Sequence, residues 1–193
     1  MAQNRAGVVT ALMDNLVVKR RLKLSRDPNR LHPALRARWE YMSKEWARRY
    51  PDAPVPFLTQ TYRDPALQAQ LVAEGKSKAQ PGQSLHNFAP ALAFDVAFAV
   101  NIVNGKPTML TWDFVWFERW GELAESLGLV WGGRWQHLVD GPHVQMPMTW
   151  QDAKAGRIPS LPNLPSTQRV SSVIIKGDFD VVEDDGALVV TSR

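Results

Sequence analysis

A chain of 193 residues with 45% hydrophobic and 22% charged residues has the size and composition of one globular domain with a small appendage. It contains no cysteine, which excludes disulfides, a cysteine nucleophile and every cysteine-based zinc site, so any metal must be held by carboxylates and the four histidines. The first 38 residues hold nine Lys or Arg against two Asp, and this basic charge indicates either simple solubility or an anionic partner: nucleic acid, a membrane surface, or a wall rich in phosphate and carboxylate.

The N-terminal region predicts neither a membrane span nor a signal peptide. No stretch reaches the roughly 18 apolar residues of a span. The basic cluster at residues 19–21 follows the apolar stretch, whereas a signal peptide has its positive charges first. We therefore expect a protein made in the cytoplasm without a signal peptide, with residues 1–30 as a basic segment that contains a weak helical pattern at 8–18.

Three helices are predicted in the central part of the chain. The first runs from Pro33 to Pro51, because its apolar residues recur at steps of three and four. A shorter one begins at an Asp64 N-cap followed by proline and ends at Gly75. The third, rich in tryptophan and leucine on one face, spans residues 113–127.

Short strands are predicted between the helices, at 55–62, 91–100, 129–131 and 143–146. The apolar run 91–100 is typical of a central strand, and a hairpin turn follows at 104–106. Helices alternating with a small antiparallel sheet predict an α+β fold. Prolines 159, 162 and 165 indicate a linker between a domain at 31–158 and an appendage within 159–193, which has strand patterns at 170–175, 179–182 and 187–191.

A charged residue inside the apolar central strand is the first indication of chemistry. Asp95 needs a partner or a metal, because a buried unpaired carboxylate is costly. Together with His86 and His143 it makes two imidazoles and a carboxylate, which with water form a zinc site that keeps an open position. Asp140, three residues before His143, is placed to act as a general base.

Each of these residues also has an ordinary explanation. A histidine near a loop is usually a plain polar residue, Asp95 suits a buried ion pair, and Asp140 suits a turn before Gly-Pro. His137 is a rival ligand. We prefer His143, because it has an aspartate three residues before it and a strand after it. The zinc prediction depends on the whole set occurring in order in one cysteine-free chain.

These motifs resemble those of the zinc D,D- and L,D-peptidases of cell-wall metabolism, which share a fold with the hedgehog signalling domain. The resemblance is strongest to the L-alanyl-D-glutamate endopeptidases that serve as phage endolysins. It covers about residues 33–146. The matching positions are the Ser-x-His, Ala-x-Asp and Asp-x-x-His motifs, an upstream Arg followed by Gln, and a Trp-Gly-Gly-x-Trp run: Ser84, His86, Ala93, Asp95, Asp140, His143, Arg63, Gln68 and residues 131–135.

The resemblance implies a role for each matching polar residue. The implied zinc ligands are His86, Asp95 and His143. Asp140 is the implied base, and Arg63 is implied to bind a substrate carboxylate or to steady the oxyanion. Ser84 is implied to hydrogen-bond near the metal or the substrate, and Gln68 is implied to bind the substrate. Two departures from the family pattern are the spacing of nine between His86 and Asp95, where seven is commoner, and a valine after the last ligand.

We therefore predict a zinc metallopeptidase that hydrolyses peptidoglycan stem peptides, acting on the cell wall as an endolysin does and binding no nucleic acid. Two alternatives stay open. One is a D-Ala-D-Ala carboxypeptidase or dipeptidase with the same metal site, and the other is a non-catalytic zinc-bearing wall-binding or virion module, against which the presence of Asp140 speaks. The bond cleaved, the oligomeric state and the phage or bacterial origin are left open by the sequence.

Overall fold

The computed structural model describes residues 25–104 and 106–165, together with the backbone of two strands near the C-terminus. The helices are α1 (Pro33–Arg49), α2 (Pro65–Ala73), α3 (Phe114–Ser126) and α4 (Trp150–Lys154). The strands are β1 (Val55–Gln60), β2 (Ala93–Val103), β3 (Lys106–Thr111), β4 (Val130–Trp131), β5 (His143–Gln145), β6 (Phe179–Asp184) and β7 (Ala187–Ser192). The predicted α+β class is confirmed. The predicted helix at 8–18 and strand at 170–175 lie outside the described residues.

Local capping explains where the first two helices begin. The ring Nδ1 of His32 accepts a hydrogen bond of 3.3 Å from the amide of Ala34 at the start of α1. The Asp64 carboxylate accepts one of 2.7 Å from Ala66 at the start of α2, as the sequence predicted. After α3 the chain turns away at Gly128, whose φ of 79° glycine adopts without strain. None of the helices in the described part of the chain is long and apolar enough to cross a membrane.

Strand β2 is the centre of the main sheet, as predicted. It pairs antiparallel with β1 along one edge. Along the other edge, its first residues pair with β5 and its later residues with β3, while β4 adds to the far side of β5. The register sets Asp95 directly opposite His143 on β5 and beside Gln60 on β1. Strand pairing therefore brings together residues that are far apart in the sequence.

An aromatic core fixes α1 and α3 on one face of this sheet. Trp46 of α1 and Trp120 of α3 are almost fully buried, and their rings pack edge to face at 5.6 Å. Phe98 of β2 joins them, with its ring 5.1 Å from that of Trp46. Aromatic pairs of this geometry add about 0.5–1.5 kcal/mol each beyond the area that they bury. The packed core supports the part of the sheet that carries Asp95 and His143.

The structure differs from the sequence-based expectations in several places. Strand β2 extends to Val103 because β3 pairs with its second half, and the five-residue α4 was not predicted. Segment 159–165 lies against the domain, where Leu164 is partly buried and the buried guanidinium of Arg38 donates to the carbonyl of Pro162. At the other end, Thr61 donates a backbone hydrogen bond of 2.7 Å to Ser25. The predicted domain boundaries at 30/31 and 158/159 stay predictions.

Candidate metal centre

His86 is held in a short 3₁₀ turn, Leu85–Asn87, which begins with a capping box between Ser84 and Asn87. The Ser84 hydroxyl accepts from the amide of His86 at 3.4 Å, and the Asn87 side chain accepts from the amide of Ser84 at 3.4 Å. The ring is buried, and its Nδ1 lies 2.7 Å from the carbonyl oxygen of Thr61. A carbonyl only accepts, so Nδ1 carries the hydrogen and Nε2 is left with a free lone pair.

Three donor atoms meet at the end of the sheet. Oδ1 of Asp95 lies 3.2 Å from Nε2 of His86 and 3.0 Å from Nδ1 of His143. The two ring nitrogens are 3.3 Å apart. Tetrahedral zinc with ligands at about 2.0–2.1 Å has neighbouring donors roughly 3.3 Å apart, so this triangle and its nitrogen and oxygen chemistry fit zinc.

The long spacing between the first two donors does not separate them. Ala89 and Pro90, which occupy the extra length, are exposed. Ala91 is again buried and forms a bridge to Leu31. The loop therefore bulges outward while His86 and the donor carboxylate keep their 3.2 Å contact.

Electrostatic forces keep Asp95 ionised. Burial alone would raise the pKa of its carboxyl, but the adjacent His86 and His143 outweigh burial and hold that pKa well below its usual range. For His143, burial would lower the pKa of the imidazole, yet the hydrogen bond and charge of Asp95 raise it overall. A divalent cation can displace the protons that an ionised carboxylate shares with two imidazoles and bind to the same three atoms.

Asp140 stands beside this triangle with a different pKa direction. Burial is the main cause that raises the pKa of its carboxyl, and the negative charge of Asp95 adds to it, while His143 and Arg63 oppose. The backbone of Asp140 is anchored, since its amide donates to Gly132 at 3.1 Å and its carbonyl accepts from His143 at 3.2 Å. A carboxylate with a raised pKa is suited to receive a proton during a reaction.

Gly132 makes this close packing possible. A Cβ at this position would lie 2.6 Å from the carbonyl oxygen of Asp140 and 3.1 Å from the Cβ of His143. Any side chain would therefore displace the segment that carries both residues. This explains the first glycine of the Trp-Gly-Gly run recognised in the sequence, because its missing side chain leaves room for Asp140 and His143.

Arg63 lies next to the carboxylate of the donor set. Its Nη2 is 3.8 Å from Oδ2 of Asp95, and its guanidinium donates to Gln60 and, at 3.0 Å, to Gln68. Gln68 is fully buried and its amide donates onward to Ser77 at 2.8 Å, so it lies behind Arg63 and not in the cavity. This placement does not match the expectation that Gln68 contacts substrate.

The donors open into a cavity of about 590 Å³. Arg63, Ser84 and Asp140 line it with the donors, and the Trp135 ring lies 5.0 Å from that of His143. Its other wall combines cations and apolar side chains: Lys76, Lys78, Leu138, Met148 and Trp150. His137, the rival ligand, is exposed and does not belong to the donor cluster found among the described residues.

Sequence reasoning missed three contacts of the site. The Thr61 carbonyl leaves no signal in the sequence, because any residue supplies it. Trp135 was noticed only as part of a motif, without a role. Gln145 contacts His143 at 3.0 Å, and the period of two along β5 was the signal that could have found it.

The fold and the donor set together define a class: an α+β protein with a buried two-histidine, one-aspartate cluster at the base of an open cavity. Residues 77–146, which contain all three donors and Asp140, match the model of a peptidase family described as D-alanyl-D-alanine carboxypeptidase. The resemblance to cell-wall peptidases is thereby confirmed for the part of the chain that carries the donors.

Two individual proteins are similar to this chain. The peptidoglycan L-alanyl-D-glutamate endopeptidase CwlK of Bacillus subtilis is 28% identical over 136 residues, a match that covers 62% of this chain and 75% of that protein. The crystal structure of the L-Ala D-Glu endopeptidase ChiX of Serratia marcescens matches with a TM-score of 0.45 and 22% identity, over 68% of this chain and 92% of that chain.

Proposed function

We propose that this protein is a zinc-dependent endopeptidase that hydrolyses the L-alanyl-D-glutamate bond of peptidoglycan stem peptides. The observation that carries the proposal is the donor triangle of 3.0–3.3 Å with Asp140 beside it at the base of a cavity. The peptidase family match and the similarity to CwlK support the reaction class and the substrate. The proposed ligands of zinc are His86, Asp95 and His143.

Zinc at such a site supplies a Lewis acid and lowers the pKa of a bound water to about 7. Asp140 is the proposed general base, which takes a proton from the attacking water and gives it to the leaving amine nitrogen. Its raised pKa suits this exchange, because a carboxylate that accepts a proton readily works closer to neutral pH.

The remaining polar residues bind or hold the substrate in this proposal. Arg63 donates to a substrate carboxylate or to the oxygen that becomes negative, and Gln60 and Gln68 fix its guanidinium. Burial lowers the pKa of Arg63, although Asp95 counteracts this, and arginine stays charged throughout the physiological range. Ser84 acts through His86, whose turn it caps.

Mass spectrometry of purified wall fragments digested with the zinc-loaded protein tests the proposal. An endopeptidase of this specificity leaves fragments that end in L-alanine and fragments that begin with D-glutamate. A parallel digestion of the same wall fragments with the Asp140→Asn protein controls for contaminating hydrolases. Digestion that yields no new termini from wild-type protein, while zinc is bound, would contradict the proposal.

One alternative is favoured by a specific observation. The family model that matches residues 77–146 is described as a D-alanyl-D-alanine carboxypeptidase, and release of free D-alanine in the same digest would establish that activity instead. A non-catalytic wall-binding module would hold metal but release nothing. The endolysin-like role stays a prediction, which loss of turbidity of permeabilised bacteria on addition of the protein would test.

A further inference from the structure

A glutamine next to the third proposed ligand has no role in any of the steps above. Gln145 lies two residues after His143 on β5, so both side chains project from the same face of the strand. Its Oε1 is 3.0 Å from Nε2 of His143, on the side of the ring opposite the donor atom Nδ1. Gln145 is half-buried in the cavity wall.

The orientation of the Gln145 amide follows from its second contact. Its Nε2 lies 3.3 Å from the backbone carbonyl oxygen of Met148, which only accepts hydrogen bonds. The reversed amide would set two oxygens against each other there, and its NH₂ would face the His143 ring. The NH₂ group therefore faces Met148, and the carbonyl oxygen faces His143.

With zinc bound, the 3.0 Å contact between Nδ1 of His143 and Asp95 is no longer a hydrogen bond, and a carbonyl oxygen at Nε2 decides which nitrogen of the ring keeps its hydrogen. A neutral imidazole has one N–H, and the Gln145 oxygen accepts it at Nε2. The lone pair of Nδ1 is then directed at the point shared with Asp95 and His86. His86 uses the opposite arrangement, because the Thr61 carbonyl holds its Nδ1–H and leaves Nε2 as the donor atom.

We propose that Gln145 is a positioning residue that selects the Nε2–H tautomer of His143 and so makes Nδ1 its metal-binding atom. The inference rests on the metal site of the proposed function. Partners that hold a ligand histidine through its other nitrogen typically change metal affinity 10- to 100-fold when they are removed. Of the two oxygens that hold the histidine rings, the side-chain oxygen of Gln145 can be deleted by substitution, whereas that of Thr61 is backbone.

Two substitutions separate this role from simple packing. Gln145→Met keeps the length of the side chain but has no acceptor of comparable strength, and we expect the zinc dissociation constant to rise 10- to 100-fold. Gln145→Glu restores an oxygen acceptor and should keep zinc affinity within about threefold of wild type or tighten it. Gln151→Met is the matched control, since Gln151 lines the same cavity, is exposed, and has no side-chain hydrogen bond to the donors.

The measurements are zinc affinity by chelator competition at fixed pH and long-range ¹H–¹⁵N spectra of the zinc-loaded protein. We expect the spectra to show His143 protonated at Nε2 and metal-bound at Nδ1. The inference is overturned if zinc is bound through Nε2 of His143, or if Gln145→Met binds zinc within about twofold of wild type. A Gln145 effect on zinc in a protein that releases no wall fragments would uphold the inference while refuting the proposed function. Release of wall fragments by a protein whose zinc affinity does not depend on Gln145 would uphold the proposed function while refuting the inference.

Discussion

Replacing Asp140 by asparagine tests the proposed chemistry most directly, because it removes a charge and almost no volume. The structure indicates that the segment carrying Asp140 will stay in place. Asp140 is anchored through its backbone, by the hydrogen bonds of 3.1 Å to Gly132 and 3.2 Å from His143, and the substitution leaves both intact. The three donor atoms are on other side chains. We therefore expect Asp140→Asn to fold normally and to bind zinc as the wild type does.

Activity and stability should change in opposite directions. Loss of a general base typically slows a reaction 10²- to 10⁴-fold, which corresponds to about 3–5 kcal/mol in the activation barrier. In the zinc-free protein, burial and Asp95 raise the pKa of Asp140 in the folded state above its unfolded value. Ionisation of Asp140 therefore destabilises the fold as pH rises through that pKa. The variant has no such ionisation and should melt at the same temperature as wild type or higher.

The pH dependence of this difference is itself a test. The melting temperatures of zinc-free wild type and Asp140→Asn should converge as pH falls below about 4, where the carboxyl becomes protonated in the unfolded chain as well. The assay set is zinc content, rate of wall digestion and thermal midpoint across pH. Near-normal turnover by Asp140→Asn would refute the role of base, and loss of zinc by this variant would show that Asp140 is a ligand.

Three further outcomes are expected. Zinc should bind at one per chain by elemental analysis and be lost in His143→Ala but kept in His137→Ala, because only His143 belongs to the donor cluster; an empty site in His137→Ala alone would reverse the assignment. Gly132→Ala should lower the rate of wall digestion by about tenfold or more with the fold intact, since its Cβ would lie 2.6 Å from the Asp140 carbonyl, and an unchanged rate would contradict the close packing. Trp120→Ala should lower the free energy of unfolding by about 3–5 kcal/mol in urea denaturation, because the ring is fully buried, and a loss below about 1 kcal/mol would mean that the core tolerates its absence.

The helices and the central strand were predictable because their signals are local. Apolar spacing and caps such as Asp64 act within one or two turns of chain, and α1, α2 and α3 lie where those signals predicted them. Strand β2 was recognised by composition, yet its length was underestimated. Its last residues are stabilised by pairing with β3, and they include exposed Ile102 and Val103, which are not part of the buried run.

The residue types of the candidate site were also readable from the sequence. A carboxylate inside an apolar run demands a partner, and a cysteine-free chain with four histidines leaves few candidates for that partner. What the sequence did not contain is which atoms meet. Asp95 and His143 are 48 residues apart, and only the antiparallel register of β2 and β5 sets them opposite each other.

Tertiary structure alone decided the roles of the supporting residues. Gln68 is placed behind Arg63 because α2 turns its buried face toward the guanidinium. Gln145 meets the His143 ring because a two-residue step on a strand returns to the same face. Residue types and spacings determine which chemistry a chain can perform. Which nitrogen of each ligand histidine carries the hydrogen depends on an oxygen within about 3 Å. For His86 this oxygen is the backbone carbonyl of Thr61, and for His143 it is the side-chain carbonyl of Gln145 on the same strand.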